Sequence, residues 1–110
     1  GSLTLAGDLV TSSDKNLKSN IASLGPVLTK LISINPKRYT MNNDADQKEK
    51  IGLLAQDVQA VFPELVDENN EYMSVNYQAL IPILISAVNE QTKRNESLKQ
   101  RIETLKSKIQ

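Results

Sequence analysis

Ser13-Asp14-Lys15-Asn16-Leu17-Lys18 is the one stretch of this chain whose residue types and spacing could make and break a covalent bond. The 110 residues include no Cys and no His. Thiol nucleophiles, disulfides, Cys-zinc sites, Ser-His-Asp triads, His-ligated metals and His general bases are therefore excluded. Nucleophilic chemistry must use Ser or Thr with a Lys or carboxylate partner. A Ser hydroxyl is a weak nucleophile until a base takes its proton. A Lys amine can do so where burial or positive neighbours favour its neutral form, as in Ser-Lys hydrolases. Ser13 and Lys18 stand five positions apart. A straight helix would rotate them about 140° from each other, and a strand would put them on opposite faces. A working pair needs a bend between them, or partners from different subunits. The plainer alternative is that Ser13 or Asp14 caps a turn and Lys18 is solvated. No Gly-rich phosphate loop is present, and neither a cofactor nor a metal is expected.

The elements that must position these residues are short. Residues 3–10, LTLAGDLV, alternate around Gly7-Asp8 and read as strand, turn and strand, the tail of a preceding β-rich region. TSSDKNLKSN is polar and loop-like. In IASLGPVLTKLISI, Pro26 suits a first helical turn, Val27, Leu28, Leu31 and Ile32 share a helical face, and Asn35-Pro36 stops the run. Lys37–Met41 reads as a strand, Asn42–Lys50 as an exposed loop and Ile51–Ala55 as a short buried strand. Gln56–Phe62 reads as a helix ended by Pro63. Leu65–Asp67 and Tyr72–Val75 flank the polar ENNE segment as a hairpin. With 39% hydrophobic residues, no Trp and a single Phe, the chain is poorly supplied for a core of its own. Oligomerisation would supply the missing burial.

The firmest pattern is a long helix over residues 76–110, capped by Asn76. Ile81, Val88, Asn95, Ile102 and Ile109 fall at heptad position a, and Leu84, Gln91, Leu98 and Leu105 at position d. Flanking positions are rich in Lys, Arg and Glu. Polar Gln91 and Asn95 in the seam suit control of register and oligomer state. The Ile-at-a, Leu-at-d preference leans to dimers, so periodicity predicts an oligomer without fixing its number. Thirteen basic and thirteen acidic residues cancel, which removes the electrostatic footprint of a nucleic-acid binder. No apolar run approaches the roughly 20 residues of a membrane span. Neither a nucleic acid nor a membrane is an expected partner. Gly1-Ser2 reads as an expression remnant, and the chain as part of a longer protein.

Three blocks carry a family resemblance. SSDKNLKSNI resembles the signature that opens the C-terminal intramolecular chaperone auto-processing domain (S74-type peptidase family) of phage tail spikes, tail fibres and neck appendages, as in endosialidase tail spikes. IGLLAQDVQAVFPELV is similar to the family's G-x-I-A-Q-E-V-x-x-x-F/L-P-E-x-V block. YMSVNYQALIPILISAVNEQ resembles its V-N-Y…L-I-P-L…A-I-K-E stretch ahead of the terminal helices. The blocks occur in order over about residues 11–92. Where the family often has Arg two residues before the Lys, this chain has Asn16, with Lys15 next to it.

The resemblance implies an α+β fold: a small mixed domain of short strands and helices, then a long C-terminal coiled-coil helix, in a homotrimer. Residues 1–12 would be the end of an upstream β-stem and 13–110 the chaperone domain. It implies that the domain trimerises and registers the stem of the same polypeptide, then releases itself by cutting between Ser12 and Ser13. Ser13 would be the nucleophile and Lys18 its base, with Asp14 orienting Lys18 or capping the next turn. This would happen in the host cytoplasm during phage assembly, and the cut domain would leave the mature fibre. A trimerisation cap that never cuts, or a coiled-coil adaptor binding another helical protein through Ile102, Leu105 and Ile109, are the alternatives.

Overall fold

The polar and apolar positions of the chain sort into a small α+β unit from which one helix projects. The computed structural model describes residues 10–109. The strand-turn-strand reading of residues 3–9 and the last helical position, Gln110, lie outside the described residues. Val10–Ser13 has no regular structure, and a single 3₁₀ turn follows at Lys15–Leu17. The next stretch is irregular as far as α1 (Leu28–Ile32). Strands β1 (Lys37–Tyr39) and β2 (Lys50–Gly52) pair antiparallel, then come α2 (Ala55–Val61) and a 3₁₀ turn at Pro63–Leu65. β3 (Val66–Asp67) pairs antiparallel with β4 (Ser74–Val75), and α3 (Leu80–Ile109) ends the fold.

One core joins the helices. Val27, Leu28 and Ile34 from the α1 region pack with Val58 and Phe62 from α2, Leu65 beyond it, and Leu80, Ile83 and Ala87 from the first half of α3. Val58 is fully enclosed. The Lys30 ammonium lies 5.9 Å from the centre of the Phe62 ring, a cation–π placement at the edge of this core. Pro63 stops α2 and opens the turn that aims the chain into β3, as the sequence predicts. The β3–β4 hairpin also forms where expected.

Three expectations are corrected. First, α1 is five residues long, Leu28–Ile32, not a helix with Pro26 in its first turn that runs on to Asn35-Pro36. Gly25 takes φ +83, a left-handed conformation that breaks any helix entering from the N-terminal side. Ile32 is exposed, off the buried face of Val27 and Leu28. Second, β2 is not buried: Ile51 is 72% exposed. In a two-stranded ribbon alternate residues face opposite sides. Ile51 shares its side with its partner Arg38, and no described element covers that side. Third, α3 starts at Leu80, four residues after the expected cap. Asn76 Oδ1 instead accepts from the Ala79 N–H (3.2 Å), capping the tight turn that leads in. Pro82, in the first turn of α3, has no N–H to lose there.

The β1–β2 connection, expected only as an exposed polar loop, is internally organised. Asp44 accepts from the Asp46 and Lys48 N–H groups through its two oxygens (3.0 and 3.1 Å). Gln47, at φ 50, donates to the Asp44 carbonyl (2.7 Å) and accepts from the Thr40 hydroxyl (3.0 Å). At the other end of the ribbon Gly52 sits where a Cβ would lie 3.1 Å from both Tyr39 Cε1 and the Tyr77 hydroxyl. The missing side chain lets Tyr77 reach over and accept from the Leu53 N–H (3.0 Å).

With 30 residues, α3 is about 45 Å long. The molecule measures 66 × 42 × 29 Å, and its extended shape comes from this helix. Only its first three turns touch the domain. No described helix is long and apolar enough to cross a membrane.

Candidate functional site

Ser13 and Lys18 meet. The Lys18 ammonium donates to Ser13 Oγ at 2.8 Å. The device that joins them is the 3₁₀ turn. Asp14, extended at φ −63 and ψ 132, accepts from the Asn16 N–H through its carboxylate (2.9 Å) and caps the turn. The Leu17 N–H donates to the Asp14 carbonyl (3.0 Å) and the Lys18 N–H to the Lys15 carbonyl (3.1 Å). Lys18 then returns to extended backbone at φ −118 and ψ 151. Extended, turned, extended is the bend that a straight helix or strand lacks, and one chain supplies it. Of the two roles open to Asp14, the capping one is seen. Ser12, Ser13 and Lys18 are all exposed in the single chain. A serine held by an ammonium in this way has its hydroxyl proton free to point elsewhere. To attack a carbonyl it would need the amine neutral, a form that desolvation favours for lysines in general.

The seam residues are likewise placed. Ile81, Leu84, Val88, Leu98, Ile102, Leu105 and Ile109 are all exposed, and so are Gln91 and Asn95. The Gln91 amide donates to Asn95 Oδ1 (3.0 Å) along the helix. The stripe Leu80, Ile83, Ala87 faces the domain, and Ile81, Leu84, Val88 lie roughly a quarter-turn round the helix from it. The helix thus carries two apolar faces, of which its own chain covers one.

One residue in contact with the segment that carries Ser13 escaped the sequence reading. Glu90, half-buried on α3, accepts from the Val27 and Leu28 N–H groups through Oε1 (2.5 and 3.2 Å). It serves as the N-terminal cap of α1, whose own N-cap residue Val27 offers no side-chain acceptor. The signal was there in negative form: a helix start without Ser, Thr, Asp or Asn needs an acceptor from elsewhere. Among the described residues, no group of three or more Asp or Glu side chains gathers as a metal ion would require.

Comparison with known proteins bears on the same residues. The family model described as "chaperone of endosialidase" (peptidase S74) matches residues 13–67, half of the chain, starting at Ser13. The chain is 32% identical over 109 residues to the long tail fiber protein Gp37 of Salmonella phage S16, covering 90% of this chain. It is 30% identical over 96 residues to the long tail fiber protein Gp37 of Escherichia phage AR1, covering 79% of this chain. It spans only 15% and 9% of the length of those two relatives. With a family model covering half its length and fibre proteins aligned across most of it, this chain belongs to the chaperone-of-endosialidase family.

Proposed function

We propose that this chain is the intramolecular chaperone of a phage tail fibre, and that it frees itself by cutting between Ser12 and Ser13. Residues 76–110 would hold three copies together through the α3 seam while the stem ahead of Ser13 finds its register. Residues 1–12 are read as the end of that stem and 13–110 as the chaperone domain. Intertwined β-stems depend on non-local pairing and present unpaired edges while they form. Three stem ends held on one trimer meet at a raised local concentration. A cut made afterwards removes the easy route back, and the finished fibre is kept by its unfolding barrier. Assembly would take place in the host cell, with the cut domain lost from the fibre.

The observation that carries the cleavage reading is the Lys18 Nζ–Ser13 Oγ hydrogen bond at 2.8 Å. In the reaction, a neutral Lys18 amine takes the Ser13 hydroxyl proton and Oγ attacks the Ser12 carbonyl carbon. The Ser12–Ser13 C–N bond breaks, and the departing nitrogen receives the proton back from Lys18. An ester between Ser12 and Ser13 Oγ results. Water hydrolyses it to a Ser12 carboxylate and a chain that begins at Ser13 with a free amine. Both side chains are exposed in one copy, so this reading requires the neighbouring subunits and stem to cover them.

Denaturing electrophoresis and mass spectrometry of a chain with a longer upstream segment test it. The parent chain is expected to give a fragment starting at Ser13. Ser13→Ala should stay whole, and Lys18→Ala should cut about 10²-fold more slowly or less. Both should still assemble. A parent chain that stays whole, or a Ser13→Ala chain that is cut, overturns the cleavage reading. The exposure of Ser13 and Lys18 favours one other reading, a trimerisation cap that never cuts, and the first of those outcomes would select it.

A further inference from the structure

Between Lys18 and Val27 the chain runs through eight residues, all exposed, with no regular structure. Ile21 and Leu24 hold large apolar side chains in solvent along this stretch, as Leu17 does just before it. Left to itself, such a segment could place the Ser13–Lys18 pair almost anywhere within reach of its far end. That far end is fixed. Val27 and Leu28 are buried against Leu80, Ile83 and Ala87, and their N–H groups both point to Glu90 Oε1. One turn earlier on the same helix, the Ser86 hydroxyl donates to the Gly25 carbonyl (3.4 Å). Gly25 itself turns the chain at φ +83, an angle that L side chains strain to adopt. The contacts bridge 61 to 63 positions of sequence. Glu90 also stands beside seam residue Gln91, and beyond that point α3 leaves the domain.

From this geometry we propose that Glu90 is a positioning residue for the Ser13–Lys18 pair, fixing the far end of the segment that carries the pair to α3 where that helix leaves the domain. The proposal rests on the cleavage reading above. A carboxylate suits the task because one oxygen serves two N–H donors at a helix start, where the backbone dipole favours negative charge. With the far end pinned, α3 helices that come together in an assembly bring their three segments to a common geometry. The pair is then confined to the reach of an eight-residue segment whose far end sits at the same place in every copy. Loss of the pin leaves each pair on a loose tether, and a misplaced nucleophile loses rate steeply.

Glu90→Ala and Glu90→Gln, compared with the parent in a chain with its longer upstream segment, provide the test. Gln keeps an oxygen acceptor at the same place and Ala keeps none. Three readouts are taken: the rate of the cut, the oligomeric state, and amide hydrogen exchange at Val27, Leu28 and Phe62. The Phe62 N–H donates to the Val58 carbonyl (2.7 Å) within the core and reports general folding. The expected result for Glu90→Ala is a cut slowed about tenfold or more, unchanged assembly, and protection lost at Val27 and Leu28 but kept at Phe62. Glu90→Gln should stay close to the parent in all three. A Glu90→Ala chain that cuts at the parent rate, or one that loses Phe62 protection as well, overturns the positioning role while the cleavage reading stands. A parent chain that never cuts overturns both.

Discussion

Ser13 and Lys18 are too far apart in sequence to meet on any regular element, and one short turn brings them within 2.8 Å. Asp14 holds that turn by accepting from the Asn16 N–H, so Asp14→Ala should loosen the pair without removing either member. The expected outcome is a slower cut with unchanged oligomeric state, read on the same gels as Ser13→Ala. Tyr77 and Gly52 form a second local unit. Gly52→Ala would push a methyl to 3.1 Å from Tyr39 and from the Tyr77 hydroxyl. It should cost about 1–3 kcal/mol, as overpacked sites do, and thermal unfolding would show the loss. Removing the hydroxyl alone, Tyr77→Phe, leaves the Leu53 N–H without that partner. Because the site is partly wet, the expected cost is smaller, about 0.5–1 kcal/mol. Residue types told much at this scale. The absence of His and Cys left Ser or Thr with a Lys or carboxylate partner, which singled out the Ser13–Lys18 stretch, and Ser13 or Asp14 was open as a cap. The bend itself was not legible, because neither periodicity nor propensity encodes a three-residue 3₁₀ turn.

At the scale of elements, what the residues announced depended on how local the cause was. Pro63 ends α2, and the polar ENNE stretch turns β3 into β4, both through signals within a few positions. For α1 the sequence signalled a start near Pro26 but not the group that caps it. Its start is capped by Glu90, 63 positions on in the sequence, and no window of sequence contains both partners. The burial of β2 was misjudged for a related reason: an apolar run says that a strand exists, not that both its faces are covered. In α3 an apolar stripe that the domain covers and another that it leaves exposed lie side by side, and a heptad count registers only the second. The core stripe can be probed through its neighbours: Val58→Ala, at the most enclosed position, should cost about 2 kcal/mol in chemical denaturation. The seam answers differently. Ile102→Glu, on a stretch of helix that touches nothing in its own chain, should leave the domain's unfolding midpoint in place and shift sedimentation towards the monomer.

The whole molecule is a small domain with a helix about 45 Å long, of which the last 19 residues have no cover from their own chain. In proteins most helical stability comes from packing of an amphipathic face rather than from propensity. The proposed seam would give that far end cover from other copies, whereas Leu80, Ile83 and Ala87 are secured by the domain. One continuous helix thus answers to two different variables. Warming a concentrated sample melts the contacts of its first turns together with α1 and α2. On the proposed assembly, diluting a cool sample should leave those turns intact and unravel the far end, since contacts between copies obey mass action and contacts within the domain do not. A titration in concentration and a titration in temperature, followed by helix content, would divide α3 at about Glu90. On the proposed assembly, order at the far end of α3 would report how many copies are at hand, which the folding of the domain itself does not.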